Sequence, residues 1–368
     1  MPWPVLLMAR ALEGGGSERQ LREIAKALDR TRFEPHAACF RPSPDATREL
    51  TQSGVRIAHF PVYSFASARA IAGAFSFAAY IRRNKIRLVH SFDYPTAVFA
   101  IPAARLLTSA VAVSSQRSHR DLIPPGYRRI VRWTDRLARS IVVNCEYIRR
   151  HLENDEHVAA SRIALCYNGI DLDVFRPLDE PRPPQLRGRF VIGVLCALRP
   201  EKGLSTLLHA FEQVRQAHPA ATLAIVGDGP VLPALKEEAR SLGIAGDCIF
   251  APATSSAGHW LRAMNIFVLP SLSEAFSNSL MEAMACARPV IASNTGGNPE
   301  LVRNGETGLL FETGNPAALA QAISTLIQDD ALRHRLAQAG AEFIRSNFSI
   351  QSSARHMGDI YARLIEAR

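Results

Sequence analysis

The chain has 368 residues, 47% of them hydrophobic and 21% charged. It is too long for one ordinary core, comfortable for two domains, and too apolar for a disordered chain. Net charge is +9, and the excess is lopsided: residues 1–176 hold 26 Lys+Arg against 16 Asp+Glu, the remainder 17 against 18.

A basic first half favours an anionic partner: a membrane surface, a phosphorylated acceptor or nucleic acid. The other reading is a solvated, Arg-rich surface. The six cysteines (Cys39, Cys145, Cys166, Cys196, Cys248, Cys286) form no C-x-x-C pair. That argues against zinc and against a redox dithiol, and fits a reducing, cytoplasmic setting.

The opening MPWPVLLMAR lacks the basic start and long apolar stretch of a leader. Val5–Met8 reads as a first buried strand. The loop Leu12-Glu-Gly14-Gly15-Gly16-Ser17 follows it, and Ser17–Leu28 reads as a helix. Glycines there let the backbone turn sharply and bring N–H groups, and a helix N-terminus, close to an anion. A purely structural turn is the alternative. The third glycine of a dinucleotide fingerprint is missing, which disfavours a nicotinamide-dependent oxidoreductase.

Ala70–Arg83 reads as a helix and Arg87–Val89 as a strand. The most apolar segments, Ile71–Ile81 and Ala97–Leu107, are both too short to span a bilayer. Strands are expected at Val111–Ser114 and Ile141–Val143. Between them one helix gathers Arg128, Arg129, Arg132, Arg136 and Arg139. Pro177–Arg189, rich in Pro and charge, reads as a linker or solvent loop.

The alternation then resumes. Strand Val191–Val194 leads to Arg199-Pro-Glu-Lys202-Gly, two cations placed to neutralise a diphosphate, and to helix Ser205–Ala217. Strand Leu223–Val226 leads to Gly227-Asp-Gly-Pro and helix Val231–Leu242. Strand Ile266–Leu269 leads to Glu274 and to helix Ser279–Ala285, with Asn278 expected to cap it and Glu282 one turn inside. Amides of Phe276, Ser277, Asn278 and Ser279 are expected to form an anion site. Strand Val290–Ala292 and helices Pro316–Gln328 and Leu332–Phe343 follow; a last helix begins near Gln351 after a break at Ser346–Ser349. The repeated pattern predicts an α/β protein of two doubly wound, Rossmann-like domains.

Glu274 and Glu282 together form an E-x7-E signature, and the ordered set of motifs resembles the retaining glycosyltransferases of the GT-B fold, specifically glycosyltransferase family 4 (group 1). The resemblance covers nearly the whole chain. It rests on the Gly14–Gly16 loop, Asn168-Gly-Ile-Asp, Arg199 and Lys202, the GDGP turn, E-x7-E, and Gly296-Gly297-Asn-Pro-Glu300.

The resemblance implies two domains facing across a cleft. Residues 1–176 would bind the acceptor and 190–345 the nucleotide sugar, with 177–189 as linker and 346–368 crossing back to the first domain. It implies that Arg199 and Lys202 hold the donor diphosphate, that Glu274 contacts the transferred sugar, and that Glu282 holds the ribose. Gly15, Gly16, Gly227, Phe276, Ser277, Asn278 and Ser279 would line the donor, and Ala251–Ala253 the base. Relatives often carry a His after the 111–115 strand; here His119 is the candidate and Arg117 the alternative. Asp171-Leu-Asp173 resembles the metal motif of the other large glycosyltransferase fold, but it lies beside the linker, so no metal or cofactor is expected. The implied partners are a nucleotide sugar, UDP-linked by preference, and a lipid-linked or glycan acceptor; the basic charge of the first half adds an anionic membrane surface as an expected partner, and no nucleic acid is expected. A non-catalytic nucleotide-sugar binder is the alternative function.

Overall fold

The computed structural model describes residues 1–13, 15–62 and 67–367, so Gly14 lies outside the described residues. The chain divides into two compact units, Met1–Gly169 with Ile350–Arg368, and Ile170–Ser349. The second therefore includes the whole 177–189 segment, where Leu186 is fully buried.

The first unit alternates strands and helices in the order β1 (Trp3–Ala11), α1 (Gly16–Ala27), β2 (Phe33–Arg41), α2 (Pro44–Gln52), β3 (Arg56–His59), α3 (Ala68–Arg83), β4 (Leu88–Ser91), α4 (Tyr94–Leu107), β5 (Val111–Gln116), α5 (Pro125–Leu137), β6 (Ser140–Val143), α6 (Glu146–Asn154) and β7 (Ile163–Leu165). Its seven strands run parallel in the order β3-β2-β1-β4-β5-β6-β7. A parallel sheet is covered on both faces, so its strands are apolar on both sides. On β1, Val5, Leu7 and Ala9 join one core with α1, while Leu6 and Met8 join the other with α3 and α4.

The second unit continues with β8 (Phe190–Leu195), α7 (Leu204–Ala217), β9 (Ala221–Val226), α8 (Leu232–Ser241), β10 (Cys248–Ala251), α9 (Ala257–Ala263), β11 (Ile266–Leu269), α10 (Asn278–Ala285), β12 (Val290–Ser293), α11 (Asn298–Leu301), β13 (Leu309–Phe311), α12 (Pro316–Gln328) and α13 (Asp330–Asn347). Its six parallel strands run β10-β9-β8-β11-β12-β13. The order reverses between β8 and β11, the place where open α/β sheets bind ligands outside their strand ends.

The last helix, α14 (Ile350–Glu366), belongs to the first unit. Its Met357, Ile360, Tyr361 and Ile365 complete the core shared with β1 and α1. Among the described residues no helix is long and apolar enough to cross a membrane.

Candidate active site

In the second unit the loops after β8, β9, β11 and β12 interlock at the switch point. Leu198 N donates to Asp228 O at 2.9 Å, tying the β8 loop to the GDGP turn. Glycine is required there by close approach. Gly227 has φ +144°, and a Cβ on it would lie 1.9 Å from Cys196 O; one on Gly229 would lie 2.1 Å from Leu198 O. Gly227 thus lets two loops touch. Asp228 in turn accepts from Ala253 N at 2.8 Å, fixing the segment after β10. Ala251 is buried at the end of β10, so Ala253, exposed one turn of chain later, is the residue of that pair with surface to offer.

Around Glu274 the same logic holds. Leu272 N donates to Glu201 O at 2.8 Å. Gly203, at φ +61°, approaches Pro270 O so closely that a Cβ would stand 2.3 Å away; at Gly296, φ +59°, a Cβ would stand 1.7 Å from Glu274 O. These contacts place the Glu274 carboxylate against Lys202, whose Nζ donates to Oε2 at 2.6 Å, and Ser271, whose Oγ donates to the same oxygen at 3.1 Å. Burial works against the Lys202 charge, but Glu274 outweighs it and the net shift of the lysine pKa is upward. Ser271 is itself fixed, its carbonyl accepting from Ser293 Oγ at 2.6 Å.

The two cations read together in the sequence therefore differ. Lys202 is engaged with Glu274. Arg199 is 56% exposed in its side chain, with Glu201 3.9 Å away as its ion-pair partner. Arg199 thus keeps its charge open to solvent with only a long ion pair, whereas the Lys202 charge is part of a close pair.

Helix α10 starts at Asn278, but its cap is Ser277, not Asn278: Ser277 has the extended backbone of an N-cap and its side chain accepts from Leu280 N at 3.3 Å. Ser277 and Ser279 hydroxyls lie 3.3 Å apart. Phe276 is buried, its ring 5.4 Å from Phe348, so its side chain packs and only its backbone is suited to a ligand. Glu282 is 1% exposed, between buried Met281 and Ala283. It does not face solvent.

The first unit has its own switch point, between β1 and β4. Gly15 caps α1 without any side-chain cap, and α1 begins at Gly16, one residue before the sequence suggests. Arg117, just past β5, lies over the Phe92 ring at 4.7 Å and donates to Asn168 Oδ1 at 2.7 Å. Burial pulls its pKa down to about 10. His119 stands elsewhere: its ring is 4.0 Å from that of His151 on α6, and its Nδ1 is 3.3 Å from Asp121. Burial, then His151, lower its pKa. Arg117, rather than His119, is the group beside the end of β4.

Beneath Arg117 lies a polar cluster that sequence reasoning missed. His90, fully buried, contacts Tyr361 Oη at 2.6 Å and Ser115 Oγ at 2.7 Å. Burial, then the Arg117 charge, drive its pKa well below 6.5, so it is neutral. Gln20 on α1 makes two hydrogen bonds to Gly169: its Nε2 donates to Gly169 O at 2.9 Å, and its Oε1 accepts from Gly169 N at 3.0 Å. The Asn168-Gly169 motif is thus a clasp on Arg117 and α1. The signal was the pairing of apolar strand LVHS with a lone histidine, which reads equally as a surface residue. Asp171 accepts from Asp173 N at 2.9 Å and so forms a local turn.

Residues 179–343 match the model for glycosyl transferases group 1, and residues 14–174 the model for Glycosyltransferase Family 4. The D-inositol 3-phosphate glycosyltransferase of Streptomyces scabiei is 31% identical over 64% of this chain, which spans about half (55%) of that relative's length. The GDP-mannose-dependent alpha-(1-6)-phosphatidylinositol monomannoside mannosyltransferase of Mycobacterium tuberculosis is 30% identical over 72% of each chain. The fold is similar to that of Anabaena HepE, solved in complex with UDP and glucose, with a TM-score of 0.85 at 20% identity over 97% of this chain and 99% of that one. The chain belongs to the group 1, family 4 glycosyltransferases, with the two Rossmann-like domains of the GT-B fold.

Proposed function

We propose that the chain transfers a sugar, with retention of anomeric configuration and without a metal, from a nucleoside diphosphate sugar to a hydroxyl of a lipid-linked or glycan acceptor. The observation that carries the reading is Glu274, held by Lys202 and Ser271 at the switch point, with Arg199 exposed beside it.

In this reading the bond from the sugar C1 to the β-phosphate oxygen breaks, and the acceptor oxygen bonds to C1 on the same face. The acceptor proton passes to the departing phosphate oxygen. Arg199 and the N-terminal amides of α10 stabilise the negative charge that grows on that phosphate. Lys202 holds Glu274 against the sugar and adds to the same positive field. Glu282 would reach the ribose only through a small opening of its buried surroundings.

UDP is the donor nucleotide we favour, the ligand of the similarly folded HepE; the mycobacterial relative's name makes GDP-mannose the second reading. The test is release of nucleoside diphosphate from UDP- and GDP-sugars in excess chelator, with the product anomer read by NMR. Turnover that persists with chelator and gives the donor's own anomer supports the proposal. Loss of activity restored by magnesium, or an inverted product, contradicts it.

A further inference from the structure

Arg117 is a positive charge without a counter-charge. Its guanidinium lies over the Phe92 ring at 4.7 Å, and Nη1 donates to Asn168 Oδ1 at 2.7 Å. Nε is buried with no hydrogen-bond partner, and among the described residues Arg117 makes no ion pair. The titratable groups around it are neutral at pH 7. Burial lifts the Cys166 thiol to about 11 and the Tyr361 hydroxyl well above 10, and it drives the His90 pKa well below 6.5. Arg120, three residues on, shows the ordinary solution: it is 2% exposed and paired with both Asp135 and Glu156. A sheltered cation costs free energy unless an anion or a full set of acceptors compensates it. A guanidinium has five N–H donors, and Asn168 accepts from one of them.

A second unmatched group stands beside it. Gln116 on β5 pairs in register with Val143 on β6, so Arg117 and Asn144 each lie one residue past the paired ends, on the same side of the sheet. Neighbouring strands are about 4.8 Å apart. Asn144 is 2% exposed, yet its Oδ1 has no partner. Other buried polar groups of this sheet are bonded, His90 to Ser115 and Ser114 to Asp135. Buried polar groups are paired as a rule, so two unpaired neighbours point to a missing third group. The Asn144 amide has no bond at Oδ1 to lose by turning Nδ2 towards an incoming oxygen. Arg117 is only partly buried, so a ligand reaches it from solvent. Phe92 and Asn168 already hold its side chain in place, which lowers the ordering cost of binding.

We infer that Arg117 and Asn144 form an oxyanion subsite of the first unit, which takes a phosphate or carboxylate carried by the acceptor. Nε and the Nη beside it present two parallel N–H donors, a fork that matches two oxygens of either group. The neutral His90, Cys166 and Tyr361 put no negative charge in the way. The subsite lies past the carboxyl ends of β5 and β6, the edge on which open α/β sheets bind ligands. Naming the acceptor as the carrier rests on the proposed transfer reaction; the subsite itself does not. The competing explanation is an Arg117 that only braces Phe92 and Asn168, and such a residue has no use for an anion.

The test is the phosphorus NMR line width of inorganic phosphate titrated with the full chain, first saturated with UDP or GDP, whichever calorimetry shows to bind. The nucleotide occupies the cations of the second unit, so the remaining broadening reads the first. Broadening is expected in the wild type. Arg117→Gln should weaken phosphate binding about 10- to 150-fold, the loss of one charge-assisted hydrogen bond, and leave nucleotide affinity unchanged. Asn144→Asp supplies the missing counter-charge from within. It should abolish phosphate binding and raise the melting temperature, a gain that a merely disrupted loop cannot give. Displacement of phosphate by glucuronate, with glucose inert, extends the subsite to carboxylates; phosphate held against glucuronate restricts it to phosphates. No broadening in the wild type, wild-type phosphate affinity in Arg117→Gln, or phosphate retained by Asn144→Asp overturns the inference. So does phosphate binding that the nucleotide abolishes. A chain that binds neither nucleotide contradicts the proposed function instead, and the effect of Arg117→Gln on phosphate still decides the subsite.

Discussion

At the scale of single residues, the site depends on charge pairs. Glu274 is 12% exposed in its side chain and Lys202 18%, and each is the other's counter-ion at 2.6 Å. Removing one partner strands the other. Lys202→Met is expected to destabilise the second unit by roughly 1–3 kcal/mol, less than a fully buried pair because water still reaches it. Adding Glu274→Gln should restore most of the melting temperature and none of the transfer rate. A double variant as unstable as Lys202→Met would mean the pair does not act as a unit. His90 gives a pH signature. Its folded pKa lies well below 6.5, so as pH falls below the unfolded value the unfolded chain takes up a proton that the folded chain refuses. Stability is therefore present above about pH 6.5 and lost below it, by up to about 1.4 kcal/mol per pH unit. His90→Asn should flatten the fall in melting temperature between neutral and mildly acid pH; an unchanged slope would assign that fall to other groups.

At the scale of elements, the loops on the strand ends are fixed by glycines whose Cβ positions are filled by backbone. Gly296→Ala meets Glu274 O at 1.7 Å in a left-handed conformation, whereas Gly243, at φ +68°, has nothing within 4 Å. Gly243→Ala should cost about 1–2 kcal/mol from conformation alone. Gly296→Ala should cost clearly more and displace Glu274, so a comparable loss in both would show that the loop has room to give. These elements also show what the sequence makes legible. Strands such as Ile266–Leu269, and helix Pro316–Gln328, are uninterrupted apolar or 3.6-period runs and appear as read. β2 does not announce itself, because Pro35 and His36 break its apolar run; His36 is buried by its contact with Tyr80 Oη at 2.7 Å, a partner 44 residues away. The site divides likewise. Glu274 and Lys202 are visible as residue types after strands, but their direct pairing depends on Gly203 and Gly296 bringing three loops together. The capping of α10 by Ser277 instead of Asn278 is a one-residue shift that local preference cannot decide, since both side chains cap well.

At the scale of the whole molecule, the first unit is made from both ends of the chain. α14 places Tyr361 Oη on His90 and Ser353 Oγ on Tyr167 O at 2.7 Å. Truncation after Ser349 would leave His90 without one partner and uncover the core surface filled by Met357, Ile360 and Ile365. Each such side chain contributes about 1.5–3 kcal/mol, so the shortened chain should aggregate or lose cooperative melting. A truncated chain that melts like the full one would show that α14 is dispensable. In the proposed function the second unit's switch point holds a nucleoside diphosphate sugar, with Glu274 on the sugar. The most direct measurement pairs titration calorimetry of nucleoside diphosphate binding with steady-state sugar transfer for Glu274→Ala, once circular dichroism shows the variant folded. Diphosphate affinity is expected within a few-fold of wild type, with a severe loss of transfer, because a contact to the reacting sugar matters in the transition state. Wild-type transfer by Glu274→Ala would contradict it.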